Sequence, residues 1–102
     1  MNQQIKQLRL IGLARRAGAV AYGAEGTIDS LKRKKAKLII FANNISERTK
    51  NDILKNINNT CVLELAVSME ELGNAIGVKP VGVIAVTDGN FKKGILEVKQ
   101  FD

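Results

Sequence analysis

Leu38-Ile39-Ile40-Phe41-Ala42, followed by Asn43-Asn44-Ile45-Ser46, is the stretch that decides the fold. Five apolar residues in a row leave no polar face. A run of that length without alternation occurs where both faces of a sheet are covered, as in parallel sheets. It is therefore expected to be a central strand with helices on either side. Asn43 to Ser46 reads as a turn, with Ser46 as the N-cap of a helix through Asn58. The apolar face of that helix is thin, Ile53, Leu54 and Ile57, so it is expected to be half exposed.

Working outward, Val81 to Val86 is a second strongly apolar strand, Val62 to Val67 a third, and Ala19 to Tyr22 a short apolar segment of strand type. Helical spacing separates them. Leu10, Leu13, Ala14 and Ala17 share one face of a helix from Asn2 to Ala17, with Gly18 as its C-cap. After Gly23 the pattern Ala24, Thr27, Ile28 and Leu31 predicts a second helix that runs into Lys32 to Lys35. Ser68 caps a helix to Ile76 whose buried stripe is Met69, Leu72 and Ile76, and Gly77-Val78-Lys79-Pro80 breaks it. Thr87-Asp88-Gly89-Asn90 is a turn, and Phe91, Ile95 and Val98 mark a last helix that frays at its end. Strands alternating with helices predict an α/β fold, a mainly parallel or mixed sheet covered on both faces in three layers.

The 102 residues contain no stretch that reads as a linker, so residues 1–102 are expected to form one domain. Hydrophobic residues make up 45%, enough for one core, but only 4% are aromatic (Tyr22, Phe41, Phe91 and Phe101), so platforms for stacking bases are scarce. Cys61 is the single cysteine and histidine is absent. No internal disulfide can form, and no metal site or histidine-dependent chemistry is expected. Met1 to Arg9 carries no signal-peptide core and the apolar runs are strand-sized, so the expected compartment is the cytoplasm.

Charge is concentrated. Residues 1–37 hold nine bases (Lys6, Arg9, Arg15, Arg16, Lys32, Arg33, Lys34, Lys35 and Lys37) against Glu25 and Asp29, whereas the remainder holds seven bases against eight acids. That asymmetry, at a pI of about 9.7, is the footprint of a polyanion binder, although basic surfaces also serve acidic proteins and membranes. Lys32, Arg33, Lys34, Lys35 and Lys37 complement the helix dipole, and they also repel one another unless phosphates lie nearby. Arg15 and Arg16 join that patch if the end of the first helix lies beside the second. Gly23-Ala24-Glu25-Gly26 places free amides at a helix start, where a phosphate can be received; plain turn chemistry is the competing reading.

Catalysis finds no assembled residues. As a Gly-rich phosphate fingerprint after a strand, Thr87-Asp88-Gly89-Asn90 is the only candidate, and it matches neither the dinucleotide nor the P-loop pattern. Glu70 and Glu71 are adjacent on a helix and point apart. Cys61 has no histidine partner and is expected to be a small buried hydrophobe.

Three stretches together resemble the kink-turn RNA-binding ribosomal-protein superfamily, whose archetype is the large-subunit protein L-seven-Ae. They are Ile11-Gly12-Leu13-Ala14-Arg15-Arg16-Ala17-Gly18, then Ala36 to Ser46, then Glu71-Leu72-Gly73-Asn74-Ala75-Ile76-Gly77. The first stretch, with Val83-Ile84-Ala85-Val86-Thr87-Asp88 followed by Phe91, is most similar to the bacterial branch called YlxQ. The resemblance implies a three-layer α/β/α sandwich with a four-stranded mixed sheet, RNA as ligand, and no cofactor. It also implies contacts from a Gly-x-Asn-Glu-x-x-Lys motif opening the second helix and from the loop after the fourth.

Carried over by position, Gly23 fits the leading glycine, Glu25 falls at the Asn, Gly26 at the Glu, and Asp29 at the Lys. Asp29 reverses a charge at a phosphate contact, so ordinary kink-turn affinity is expected to fall sharply. Gly77, Val78, Lys79, Pro80 and Val81 remain as an apolar shelf for an unstacked base. The leading expectation is a ribosome-associated RNA-binding protein that contacts backbone through Lys32, Arg33, Lys34, Lys35 and Lys37 and catalyses nothing. Its rivals are a protein-interaction module that kept the fold and lost RNA, and an enzyme acting on a nucleotide-like substrate.

Overall fold

The computed structural model describes residues 3–100. In chain order the elements are α1 (Gln3–Arg16), β1 (Val20–Tyr22), α2 (Gly23–Lys32), β2 (Leu38–Phe41), α3 (Glu47–Leu54), β3 (Cys61–Glu64), α4 (Met69–Ile76), β4 (Val83–Val86) and α5 (Gly89–Gln100). Four strands form one sheet in the order β1-β4-β2-β3. β2 pairs parallel with β3 (Leu38 opposite Cys61) and antiparallel with β4 (Leu38 opposite Val86), and β1 pairs antiparallel with β4 (Val20 opposite Val86). The sheet is mixed, with one parallel pair.

Every residue of β2 and β4 is buried, as uninterrupted apolar strands require when both faces are covered. Ile40, Leu38, Ile84 and Val86 join Ile11, Leu72, Ile76 and Ile95 from α1, α4 and α5 on one face. Ile39, Phe41, Val83 and Ala85 join Ile53 from α3 and, from α2, Ala24, Ile28 and Leu31 on the other. Three layers result. The two predicted serine caps form: Ser46 Oγ accepts from Thr49 N–H at 3.2 Å, and Ser68 and Glu71 make a reciprocal capping box.

Three expectations are corrected. The first helix does not bury Leu10, Leu13, Ala14 and Ala17 together: Leu13 is 50% exposed and Ala17 is exposed. Its inner stripe is Gln7, Ile11 and Ala14, because Gln7 Nε2 donates to the Ile95 carbonyl at 3.4 Å and so tolerates burial against α5. The helix after Ser46 stops at Leu54 rather than Asn58, with Leu54 outside. Cys61 is exposed, not buried: β3 is an edge strand, and Cys61 and Val62 at its start lie uncovered. Phe101 lies outside the described residues.

Strand directions define two poles. At the carboxyl pole β2 and β3 end and β4 begins; at the amino pole β2 and β3 begin and β4 ends. α2 leaves β1 at the carboxyl pole and delivers Lys32 to the amino pole about 15 Å away, at 1.5 Å per residue.

Candidate nucleic-acid interface

Gly23 opens α2 at φ +77°, directly after an extended Tyr22 (φ −137°) that supplies no side-chain cap. Glu25 is exposed in the first turn and Gly26 is half-buried. Nearby, α4 ends at Ile76, Gly77 takes φ +78°, and Val78 N–H bonds back to the Gly73 carbonyl at 2.9 Å. Val81 N–H then reaches the Met69 carbonyl at 3.0 Å, folding the segment along α4. It lies so close that a Cβ on Gly73 would meet the backbone of Lys79 and Pro80.

Arg15 joins the two halves. Its guanidinium lies 5.0 Å over the Tyr22 ring and its Nε donates to the Ile76 carbonyl at 3.4 Å. Tyr22 remains 42% exposed. Reasoning from sequence missed this pair, although an aromatic residue immediately before the helix-opening glycine was the available signal. The shelf is narrower than expected: Val81 belongs to the core and Val78 is half-buried against it, so Lys79 and Pro80 supply most of its surface. One further cation near this pole, Lys50, is neutralised. A 3.0 Å hydrogen bond to Glu64, reinforced by that carboxylate's charge, raises the Lys50 pKa above its usual value.

The basic run sits at the other pole and is split. α2 closes in a Schellman turn, with Lys34 N–H on the Leu31 carbonyl (3.0 Å) and Lys35 N–H on the Ser30 carbonyl (2.9 Å). Lys34 occupies the left-handed position at φ +59°. The turn sends Lys32, Lys34 and Lys37 into an open cleft of about 480 Å³ against Asn56, Asn58, Asn59, Thr60 and Lys92. Arg33 and Lys35 face a smaller hollow of about 210 Å³ beside Asp29, Gly18 and Thr87. Arg33 is partly neutralised there, its Nε 3.1 Å from Asp29. Arg15 does not join the run, being held over Tyr22. Arg15 thus sets Tyr22, and Gly23 after it, beside the exit of α4, whereas Gly26 and Asp29 share the smaller hollow with Arg33 and Lys35, and Lys32, Lys34 and Lys37 line the separate cleft.

Asp88 and Glu71 have structural partners. Asp88 Oδ1 accepts from the N–H groups of Asn90 (2.7 Å) and Phe91 (3.1 Å) at the start of α5, and Glu71 closes the capping box of α4. Among the described residues no cluster of three or more His, Cys, Asp or Glu could hold a metal ion, and no helix is long and apolar enough to cross a membrane.

Comparison with known proteins agrees with this architecture. The model of the ribosomal protein L7Ae/L30e/S12e/Gadd45 family matches residues 6–96. RNA-binding protein YlxQ of Enterococcus faecium is 38% identical over 99 residues, covering 95% of this chain and 93% of its own. Large ribosomal subunit protein eL30 of Sulfurisphaera tokodaii is 34% identical over 89 residues, 83% of each chain. A solved structure from Bacillus halodurans, of a protein with unknown function, superposes with a TM-score of 0.84 at 27% identity, over 93% of this chain and 97% of that one. With its four-stranded mixed sheet and five helices, this chain belongs to the ribosomal protein L7Ae/L30e/S12e/Gadd45 family.

Proposed function

We propose that this chain is an RNA-binding protein of the ribosome-associated kind, one domain over residues 1–102 acting by binding alone and without a cofactor. The observation that carries the reading is the pairing of family membership with uncompensated charge: among the described residues, Lys32, Lys34 and Lys37 make no ion pair. Phosphate neutralisation by such lysines is the main sequence-independent source of RNA affinity. The relative from Enterococcus faecium is itself named an RNA-binding protein.

In this reading the carboxyl pole contributes Gly23, the Tyr22–Arg15 pair, and the segment Gly77, Val78, Lys79 and Pro80. Glu25, Gly26 and Asp29 stand where a kink-turn reader would present Asn, Glu and Lys, so structured RNA is bound with weakened kink-turn preference. The chain works in the cytoplasm, with ribosomal RNA among its candidate ligands. Purification from its own cells tests this directly. The expected result is nuclease-sensitive absorbance at nucleic-acid wavelengths that travels with the protein; a stable complex with another protein and no RNA would favour an interaction module instead.

A further inference from the structure

The cleft at the amino pole has chemistry of its own. Lys34 and Lys37 come from the α2–β2 connection, Lys92 from α5, and Asn58, Asn59 and Thr60 from the α3–β3 loop, so three separate parts of the chain converge on one open space of about 480 Å³. No acidic side chain lines it among the described residues. Its cations therefore have no intramolecular counter-charge and call for an anion.

The backbone at Lys34 points the same way. α1 and α4 end in the same Schellman geometry as α2, with Gly18 (φ +75°) and Gly77 (φ +78°) in the left-handed position. Glycine takes that conformation without steric cost, whereas a side chain does not. Lysine at the equivalent place in α2 is strained, and strain of this kind is retained where the side chain is needed. Here the side chain lines the cleft.

The non-ionic residues narrow the class of ligand. Lysine ammonium groups only donate hydrogen bonds, but the Asn carbonyl oxygens and the Thr hydroxyl also accept them. A chain of carboxylates offers acceptors alone. A ribose–phosphate chain offers phosphate oxygens to the lysines and 2′-hydroxyl donors to Asn58, Asn59 and Thr60. No aromatic side chain lines the cleft, so bases have nothing to stack on.

We propose that this cleft is a second RNA site, which grips the ribose–phosphate chain without reading bases and lies at the opposite end of α2 from Gly23 and Gly77. The proposal rests on the RNA-binding reading and deepens it: the chain holds two RNA segments, one at each pole.

The test is fluorescence anisotropy on the full chain with three labelled probes: a plain RNA duplex, the DNA duplex of the same sequence, and an RNA containing a kink-turn. For the plain RNA duplex, Lys34→Glu with Lys37→Glu is expected to weaken binding by at least about tenfold and to flatten the salt dependence by about two units of slope. Lys92→Glu, on a different element, should act in the same direction. Arg9→Glu, exposed on α1 and outside both sites, should leave plain-duplex binding unchanged, whereas Tyr22→Ala and Lys79→Glu, at the other pole, should weaken the kink-turn probe more than the plain duplex. RNA should bind more tightly than DNA, and Asn58→Ala with Asn59→Ala should remove that preference. Unchanged plain-duplex affinity in the Lys34/Lys37 variant, with the kink-turn probe still bound, overturns the cleft alone, and includes the case in which an acidic peptide is its true occupant. Equal losses from variants at both poles overturn the separation into two sites. A wild-type chain that binds none of the probes overturns the RNA-binding reading and the cleft together.

Discussion

Arg15 lies over Tyr22, guanidinium to ring centroid 5.0 Å, while its Nε holds the Ile76 carbonyl at 3.4 Å. One side chain thereby ties the end of α1 to the entrance of α2 and the exit of α4. An exposed cation–π contact contributes about 0.5–1 kcal/mol, so Arg15→Ala should lower stability by roughly 1 kcal/mol in urea unfolding. Arg15→Lys should restore little of it, because the planar fork that stacks and donates together is lost. In amide NMR spectra, both variants should shift Gly23 and Gly77 together while leaving Asn58 and Asn59 in place.

Lys34→Gly separates stability from function. Removing the side chain from a left-handed residue relieves roughly 1–2 kcal/mol of steric cost, which for a domain of this size should raise the melting midpoint by about 4–8 °C per kcal/mol. The same change removes a cation from the cleft, so RNA affinity should drop and the salt slope should flatten by about one unit. Calorimetry beside a binding titration checks both signs.

Gly73 sets the path of the segment that follows α4. A Cβ there would meet the Lys79 carbonyl and the Pro80 Cα, both backbone and unable to rotate away. Gly73→Ala is therefore expected to cost about 1–3 kcal/mol, the usual penalty for overpacking, and to move Lys79 and Pro80. Chemical denaturation measures the cost; hydrogen exchange at Val78 and Val81, whose N–H groups bond to Gly73 and Met69, measures the movement.

Glu25→Asn with Gly26→Glu and Asp29→Lys installs the motif the family resemblance implies. Gly26 has room, its added Cβ falling 3.9 Å from that of Ala21. Asp29 gives up only an exposed i,i+4 pair with Arg33, worth about 0.3–0.5 kcal/mol. The triple variant should gain affinity for a kink-turn while its binding of plain duplex changes much less. No gain would mean that the site is built from other residues.

Much of this was legible in the sequence where the determinants are local. Leu38 to Ala42 announced a covered strand because no polar face interrupts it, and Ser46 and Ser68 announced helix starts because a hydroxyl satisfies a free amide. What failed depended on neighbours distant in the chain. Gln7 is buried because the Ile95 carbonyl receives it, and Cys61 is exposed because β3 lies at an edge. The lysine run read as one patch, yet the turn at Lys34 divides it between two hollows, and the run's separation from Gly23 follows from the direction of α2. Arg15 could not be assigned to Tyr22 until the end of α1 was placed beside α4.

The central claim, that RNA is held through the lysines at the end of α2, is tested most directly by filter binding on a structured RNA across a salt series. Wild-type protein should lose affinity steeply as salt rises, and charge reversal at Lys32, Lys34 and Lys35 should weaken binding and flatten that slope by about two to three units. Affinity indifferent to salt, or intact in the charge-reversed chain, would contradict it.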